Sequence, residues 1–249
     1  MIGSDLAERR AAPARRKTER RGFLAVVVVL LVVWNVLANL LPTGAQLPTS
    51  VVATVLLVVV ARRSGLDWSQ VGLARRDLAN GVRVGVIGAG VVILVLIAAA
   101  AIPATLSVLA DGRFVAMELP RALYEMLVRI PLAVALAEEV AFRGVLLGML
   151  IVRTTALRAV VISSLVFGLW HVLPAITALE TTAGLVETSS AGAELGLVAG
   201  QVILTGLAGL AFCWLRLRGR HLSSAILVHA PLNSVSFAVG WLAVQHAWA

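Results

Sequence analysis

The chain has 249 residues, of which 60% are hydrophobic and only 14% are charged. Soluble globular proteins average roughly 45–50% apolar and about 25% charged residues, so this composition excludes a water-soluble globular domain. The net charge of +8 is compatible with nucleic-acid binding or with the basic loops of a membrane protein. We therefore predict an integral membrane protein in one domain.

Seven apolar runs approach the roughly 20 residues that a helix needs to cross the hydrocarbon core. They are Phe23–Leu41, Leu47–Ala61, Val84–Ile102, Ala122–Leu150, Ala156–Leu179, Leu195–Leu215 and Leu222–Ala247. We expect helices, because a segment in lipid must satisfy its own backbone hydrogen bonds. The predicted fold is all-α, a polytopic transmembrane bundle of seven spans, or of eight if the long fourth or seventh run is broken.

The N-terminal segment divides into a tail and a first span. Residues 1–22 are basic and contain Pro13, which is typical of a disordered tail. Residues 23–249 form the predicted transmembrane domain. The first apolar run is longer than the roughly 7–15 residues of a signal-peptide core, and we therefore interpret it as an uncleaved anchor.

Basic residues alternate from one loop to the next. Residues 1–22, 62–83, 153–158 and 216–220 hold 17 of the 21 Lys and Arg residues, whereas Thr181–Glu194 holds none. Cytoplasmic loops carry an excess of Lys and Arg, so the pattern predicts a cytoplasmic N-terminus. Because the composition is rich in Arg and Ala, we expect a bacterial plasma-membrane protein, with the lipid bilayer rather than nucleic acid as its partner.

The fourth run is unusual in its ionisable residues, which are Glu125, Arg129, Glu138, Glu139 and Arg143. A charge at the centre of a membrane helix costs about 2.5–3.5 kcal/mol, so such a cluster indicates a function or buried partners. Glu125 and Arg129 lie near one end of the run, before Pro131, and are interpreted as a snorkelling pair beside a kink.

Helical spacing groups the remaining polar residues. Glu139 and Arg143 are four residues apart and can pair on one helix face, whereas Glu138 is rotated away by about 100° and is left to face a cavity. His229 and Asn233 in the seventh run also lie four residues apart. The predicted depths bring Glu138, His171, His229 and Asn233 to the middle or cytoplasmic half of the membrane, where they could share one cavity.

Three motifs follow one another in apolar runs: Glu138-Glu139-x-x-x-Arg143, Phe167-x-x-x-His171 and His229-x-x-x-Asn233. In this order they resemble the CPBP intramembrane proteases, which include the CAAX prenyl endopeptidase Rce1 and bacterial relatives tied to bacteriocin maturation or immunity. The resemblance covers about residues 122–247, and the first three runs carry no motif.

The resemblance implies hydrolysis of a peptide bond inside the membrane, with a membrane-associated peptide or protein as substrate. Glu138 would be the general base and His171 would help to position the water. His229 and Asn233 would hydrogen-bond the tetrahedral oxyanion, and Glu139 with Arg143 would complete the site. Cys213 has no motif residue in its run and is interpreted as an inert buried thiol.

Two questions stay open at this point. Glu138, His171 and His229 could bind a catalytic zinc ion, which would make the protein a metalloprotease, but the His-Glu-x-x-His helix of zincins is missing. We favour metal-free glutamate catalysis without a cofactor. A membrane Glu pair with His also suits a proton-coupled transporter, and the same bundle could be a non-catalytic scaffold, but the order of the motifs favours the protease.

Overall fold

The computed structural model describes residues 22–102, 105–106, 109, 112–182 and 191–247, and this part of the chain is helical without any strand. Its helices are α1 (Gly22–Leu40), α2 (Thr43–Arg63), α3 (Trp68–Val71), α4 (Leu78–Ala100), α5 (residues 119–151), α6 (Ala156–Trp170), α7 (Val172–Thr182), α8 (Ala191–Gly219) and α9 (Ser223–Ala247). Short 3₁₀ turns lie at Arg75–Asp77 and Gly112–Phe114. The prediction of an all-α fold is confirmed.

Six helical segments of the described chain are long and apolar enough to cross a membrane: Gly22–Leu40, Thr43–Arg63, Arg75–Ala100, Ala156–Leu179, Ala191–Gly219 and Ser223–Gln245. The predicted fourth span lies within α5, which is helical throughout but carries the five ionisable residues and is not one of the six. The count of seven or eight spans therefore stays a prediction. Residues 1–21 of the tail and 183–190 of the predicted outer loop lie outside the described residues.

The fifth apolar run is interrupted at His171, where α6 ends and α7 begins. The fourth and seventh runs, where a break was considered, form the continuous helices α5 and α9. Pro174 lies in the first turn of α7, where its missing N–H is tolerated. A proline has no N–H to donate to the carbonyl four residues earlier, which is that of Trp170. The Asn35 side chain on α1 donates to that carbonyl at 2.8 Å instead, so the freed backbone acceptor is satisfied inside the bundle.

Helix α5 is the central element. Every residue from 137 to 150 is buried, and α2, α3, α6, α8 and α9 all contact this helix. A helical segment that is buried on all sides is shielded from lipid, which explains how residues 137–150 accommodate Glu138, Glu139 and Arg143. The surrounding helices expose large apolar side chains, such as Leu94 on α4 and Leu204 on α8, as lipid-facing helices do.

Helices α6 and α8 pack closely through glycine. A Cβ atom on Gly168 would lie 2.7 Å from the carbonyl oxygen of Val202, and one on Gly209 would lie 3.1 Å from Ser164. Only a residue without a side chain permits this approach. As a result Phe167 on α6 and Phe212 on α8 come together, with ring centroids 6.4 Å apart.

The beginning of α5 carries a buried ionic network. Glu125 is 3% exposed and pairs with both Arg121 and Arg129. Arg129 also donates to the side-chain oxygen of Gln46 on α2 at 2.7 Å. The predicted pairing of Glu125 with Arg129 is confirmed, but the prediction that the pair snorkels is wrong for Glu125, because its carboxylate is buried between two guanidinium groups.

Candidate active site

The first glutamate of the pair has one fixed and one free oxygen. Glu138 is buried on α5, and its Oε1 accepts a hydrogen bond from the Trp170 indole Nε1 at 3.3 Å. Its Oε2 has no hydrogen-bond partner within the described chain and lies 4.0 Å from Nε2 of His229. The indole therefore orients the carboxylate so that the other oxygen is available for chemistry.

The second glutamate forms the ion pair that its spacing predicts. Arg143 Nη1 donates to Glu139 Oε1 at 3.0 Å, and both side chains are completely buried. The guanidinium carbon of Arg143 lies 3.9, 5.0 and 5.9 Å from the ring centroids of Phe167, Phe212 and Phe142. Ring faces attract cations, so the aromatic cage and one carboxylate together hold this buried charge.

His229 connects the two glutamates with Asn233. Its Nδ1 lies 2.9 Å from Glu139 Oε1, its Nε2 lies 3.1 Å from Asn233 Nδ2, and its ring stacks on Phe212 with centroids 4.6 Å apart. A carboxylate only accepts, so Nδ1 carries the proton. In the neutral imidazole Nε2 then accepts from the Asn233 amide, and only the second amide N–H of Asn233 is left to donate elsewhere.

His171 stands beside this group but is not hydrogen-bonded to it in the described structure. Its Nδ1 lies 2.8 Å from the carbonyl oxygen of Phe167, and its ring packs edge-on against the Phe167 ring at 4.7 Å. Because the carbonyl requires a protonated Nδ1, Nε2 carries the lone pair. The structure thus joins Glu138, Glu139, Arg143, His229 and Asn233, with His171 contacting them through an aromatic ring.

Two residues of the site, Trp170 and Asn35, were not predicted from the sequence. Trp170 contacts Glu138 directly, and its ring also packs against Trp34 of α1 at 4.8 Å. Asn35, also on α1 and 6% exposed, donates a hydrogen bond to the backbone carbonyl of Trp170. A lone Asn inside an apolar run and a Trp next to a motif His were the available signals.

The described residues do not provide a ready metal site. No group of three His, Cys, Asp or Glu side chains in this part of the chain lies close enough together to hold a metal ion. Of the three ligands considered from sequence, Glu138 and His229 are near neighbours, but Nε2 of His229 contacts Asn233 and Nδ1 contacts Glu139. The donor set therefore does not fit a three-ligand zinc centre in this arrangement.

The family model described as Type II CAAX prenyl endopeptidase Rce1-like matches residues 120–235, a stretch that contains all three motifs. The predicted resemblance to the CPBP proteases is confirmed for this stretch, which is a little less than half of the chain. Together with six apolar helices, the match supports an integral membrane protein. No curated protein and no solved structure matches the chain.

Proposed function

We propose that this chain, similar over residues 120–235 to CAAX-type endopeptidases, hydrolyses a peptide bond of a membrane-associated peptide or protein with Glu138 as general base. The observation that carries the proposal is the asymmetry of the Glu138 carboxylate. Trp170 holds Oε1, whereas Oε2 is buried and has no hydrogen-bond partner among the described residues. A fixed carboxylate with a free oxygen in a low-dielectric interior suits proton abstraction.

The gap between Glu138 and His229 suits a water nucleophile. Oε2 of Glu138 and Nε2 of His229 are 4.0 Å apart, which is too far for a direct hydrogen bond, and Nε2 already accepts from Asn233, so a water in this gap would donate to Oε2 of Glu138. Glu138 would accept a proton from this water while the water oxygen attacks the carbonyl carbon of the peptide bond. The protonated carboxyl would then give its proton to the leaving amine.

The chain of hydrogen bonds from Glu139 through His229 to Asn233 favours Asn233 as the oxyanion donor. Glu139 fixes the tautomer of His229, and His229 fixes the Asn233 amide through one N–H, so the second N–H can point to developing negative charge. In this scheme Glu139, Arg143 and His229 are positioning residues. This differs from the simpler expectation that His229 itself donates, which would need a second proton on its ring.

His171 completes the proposed mechanism as a positioning residue for water. Its Nδ1 is engaged with the Phe167 carbonyl, so its Nε2 can accept a hydrogen bond from the attacking water or from a substrate amide. No step of this scheme requires a metal ion, and metal-free catalysis is part of the proposal. The bacterial plasma membrane remains the proposed location, with the N-terminus in the cytoplasm.

The experiment that tests the proposal uses the purified full chain in liposomes after dialysis against a chelator. Three fluorogenic probes distinguish substrate classes: a farnesylated CAAX peptide, the same peptide without the prenyl group, and a single-span transmembrane peptide. We expect cleavage of at least one probe at a rate unchanged by chelation. Proton flux across the liposome membrane without cleavage of any probe would favour the transporter, and a zinc-dependent rate would refute metal-free catalysis.

A further inference from the structure

We infer that a basic cavity at the ends of α5 and α8, outside the catalytic group, binds the phosphate headgroup of an anionic membrane lipid. The cavity has a volume of about 540 Å³ and is lined by three arginines, Arg76, Arg216 and Arg220. A phosphate accepts hydrogen bonds from guanidinium groups in a planar, bidentate manner, so arginines around a cavity of this size are a suitable receptor.

The charge of the cavity is unbalanced. Asp77 is the one carboxylate in its lining, and it pairs with Arg76 at 3.6 Å. Arg216 and Arg220 form no direct ion pair in the described part of the chain, although the charge of Asp77 also acts on Arg216. The lining therefore carries two more positive than negative charges. Burial lowers the pKa of His221, next to Arg220 in sequence, and the positive charge of Arg216 lowers it further, while Asp77 opposes both effects.

Arg216 has a structural role that engages its Nη2 but not its Nε. It is 7% exposed, and its Nη2 donates to the carbonyls of Ser69 and Gln70 at 3.0 and 3.2 Å, which caps the end of α3. Its Nε is buried without a hydrogen-bond partner among the described residues. Capping accounts for one nitrogen but leaves a buried charge whose nearby carboxylate, Asp77, is already paired with Arg76, so Arg216 lacks a counter-ion of its own, and incomplete compensation of a buried charge is unfavourable. An anion in the cavity would supply that counter-ion.

The apolar part of the lining favours a lipid over free phosphate. Ile151, Val152 and Leu217 line the same cavity and are 36–39% exposed. Ile151 is the last residue of α5, so the cavity opens where helices end and headgroups lie. The surrounding segments, 62–83, 153–158 and 216–220, are those that the basic residues assign to the cytoplasmic side, where anionic lipids attract arginine.

The test is native mass spectrometry of the purified full chain, released from nanodiscs that contain phosphatidylglycerol or phosphatidylcholine, with inorganic phosphate as a separate titrant. We expect one saturable phosphatidylglycerol adduct and no comparable phosphatidylcholine adduct. Arg220→Gln, at an exposed position that should not affect folding, should weaken the adduct about fivefold. Arg218→Gln removes the same charge from the same exposed helix end but not from the cavity lining, and should leave the adduct unchanged.

Three results would overturn the inference. Equal adducts with both lipids would show that the phosphate charge is not recognised. Equal weakening by Arg220→Gln and Arg218→Gln would show a diffuse surface effect rather than a site. Displacement of the lipid by millimolar inorganic phosphate would assign the cavity to a free anion. None of these readouts depends on proteolytic activity, so a failure of the lipid site would not contradict the proposed function, and a failure of the proposed function would not contradict the lipid site.

Discussion

Replacement of Glu139 by glutamine removes one charge from the most deeply buried ion pair of the site. Oε1 of Glu139 accepts from both Arg143 Nη1, at 3.0 Å, and His229 Nδ1, at 2.9 Å, and a glutamine oxygen can accept both bonds. The change is therefore the loss of negative charge beside a guanidinium that is 0% exposed and whose Nε and Nη2 have no hydrogen-bond partner in the described chain. Breaking a buried pair in this way costs about 3–5 kcal/mol.

The aromatic cage around Arg143 cannot replace the lost charge, because a cation–π contact contributes only about 0.5–2 kcal/mol and is already present in the wild type. We expect Glu139→Gln to unfold at a clearly lower denaturant concentration in detergent micelles, measured by circular dichroism, and to lose activity. Glu138→Gln is the matched control, since it neutralises the adjacent carboxylate, which accepts from Trp170 but has no guanidinium partner among the described residues. It should be at least as stable as the wild type. Equal stability of Glu139→Gln and the wild type would refute the reasoning.

Three further predictions concern the indole, the amide and the topology. Trp170→Phe removes the N–H that orients Glu138 but keeps the aromatic packing, so turnover should fall about tenfold with KM unchanged, and a change in KM alone would contradict this role. Asn233→Ala should lower turnover about 10²–10³-fold in steady-state kinetics, and a smaller effect than that of Trp170→Phe would argue against Asn233 as the oxyanion donor. Cysteines introduced at Ser64 and Ser189 should be labelled from opposite sides of the membrane, and labelling from one side would refute the predicted orientation.

The contacts that the sequence predicted correctly are those between residues of one helix. Glu139 and Arg143 pair at the predicted i,i+4 spacing, and His229 contacts Asn233 at the same spacing. Such pairs follow from helix geometry alone, because residues four apart share a face. The cluster of ionisable residues also predicted a function or buried partners in the fourth run, and Glu139 and Arg143 are indeed buried as partners.

The relations between helices could not be predicted in the same way. That His229 Nδ1 contacts Glu139 depends on how α9 packs against α5, and no spacing within either helix contains that information. The Asn35 bond to Trp170 joins residues 135 positions apart and depends on a carbonyl that Pro174 leaves free. The buried position of Glu125 likewise depends on α2, which brings Gln46 to Arg129.

The most direct test of the account is the single-turnover cleavage rate of Glu138→Gln on a substrate that the wild type cleaves. The reaction is followed in liposomes after removal of metal ions, with Glu118→Gln, an exposed carboxylate outside the site, as the control. A general base contributes about 10²–10⁴-fold, so the account predicts a loss of at least this size for Glu138→Gln and an unchanged rate for Glu118→Gln. Cleavage by Glu138→Gln at the wild-type rate would contradict it.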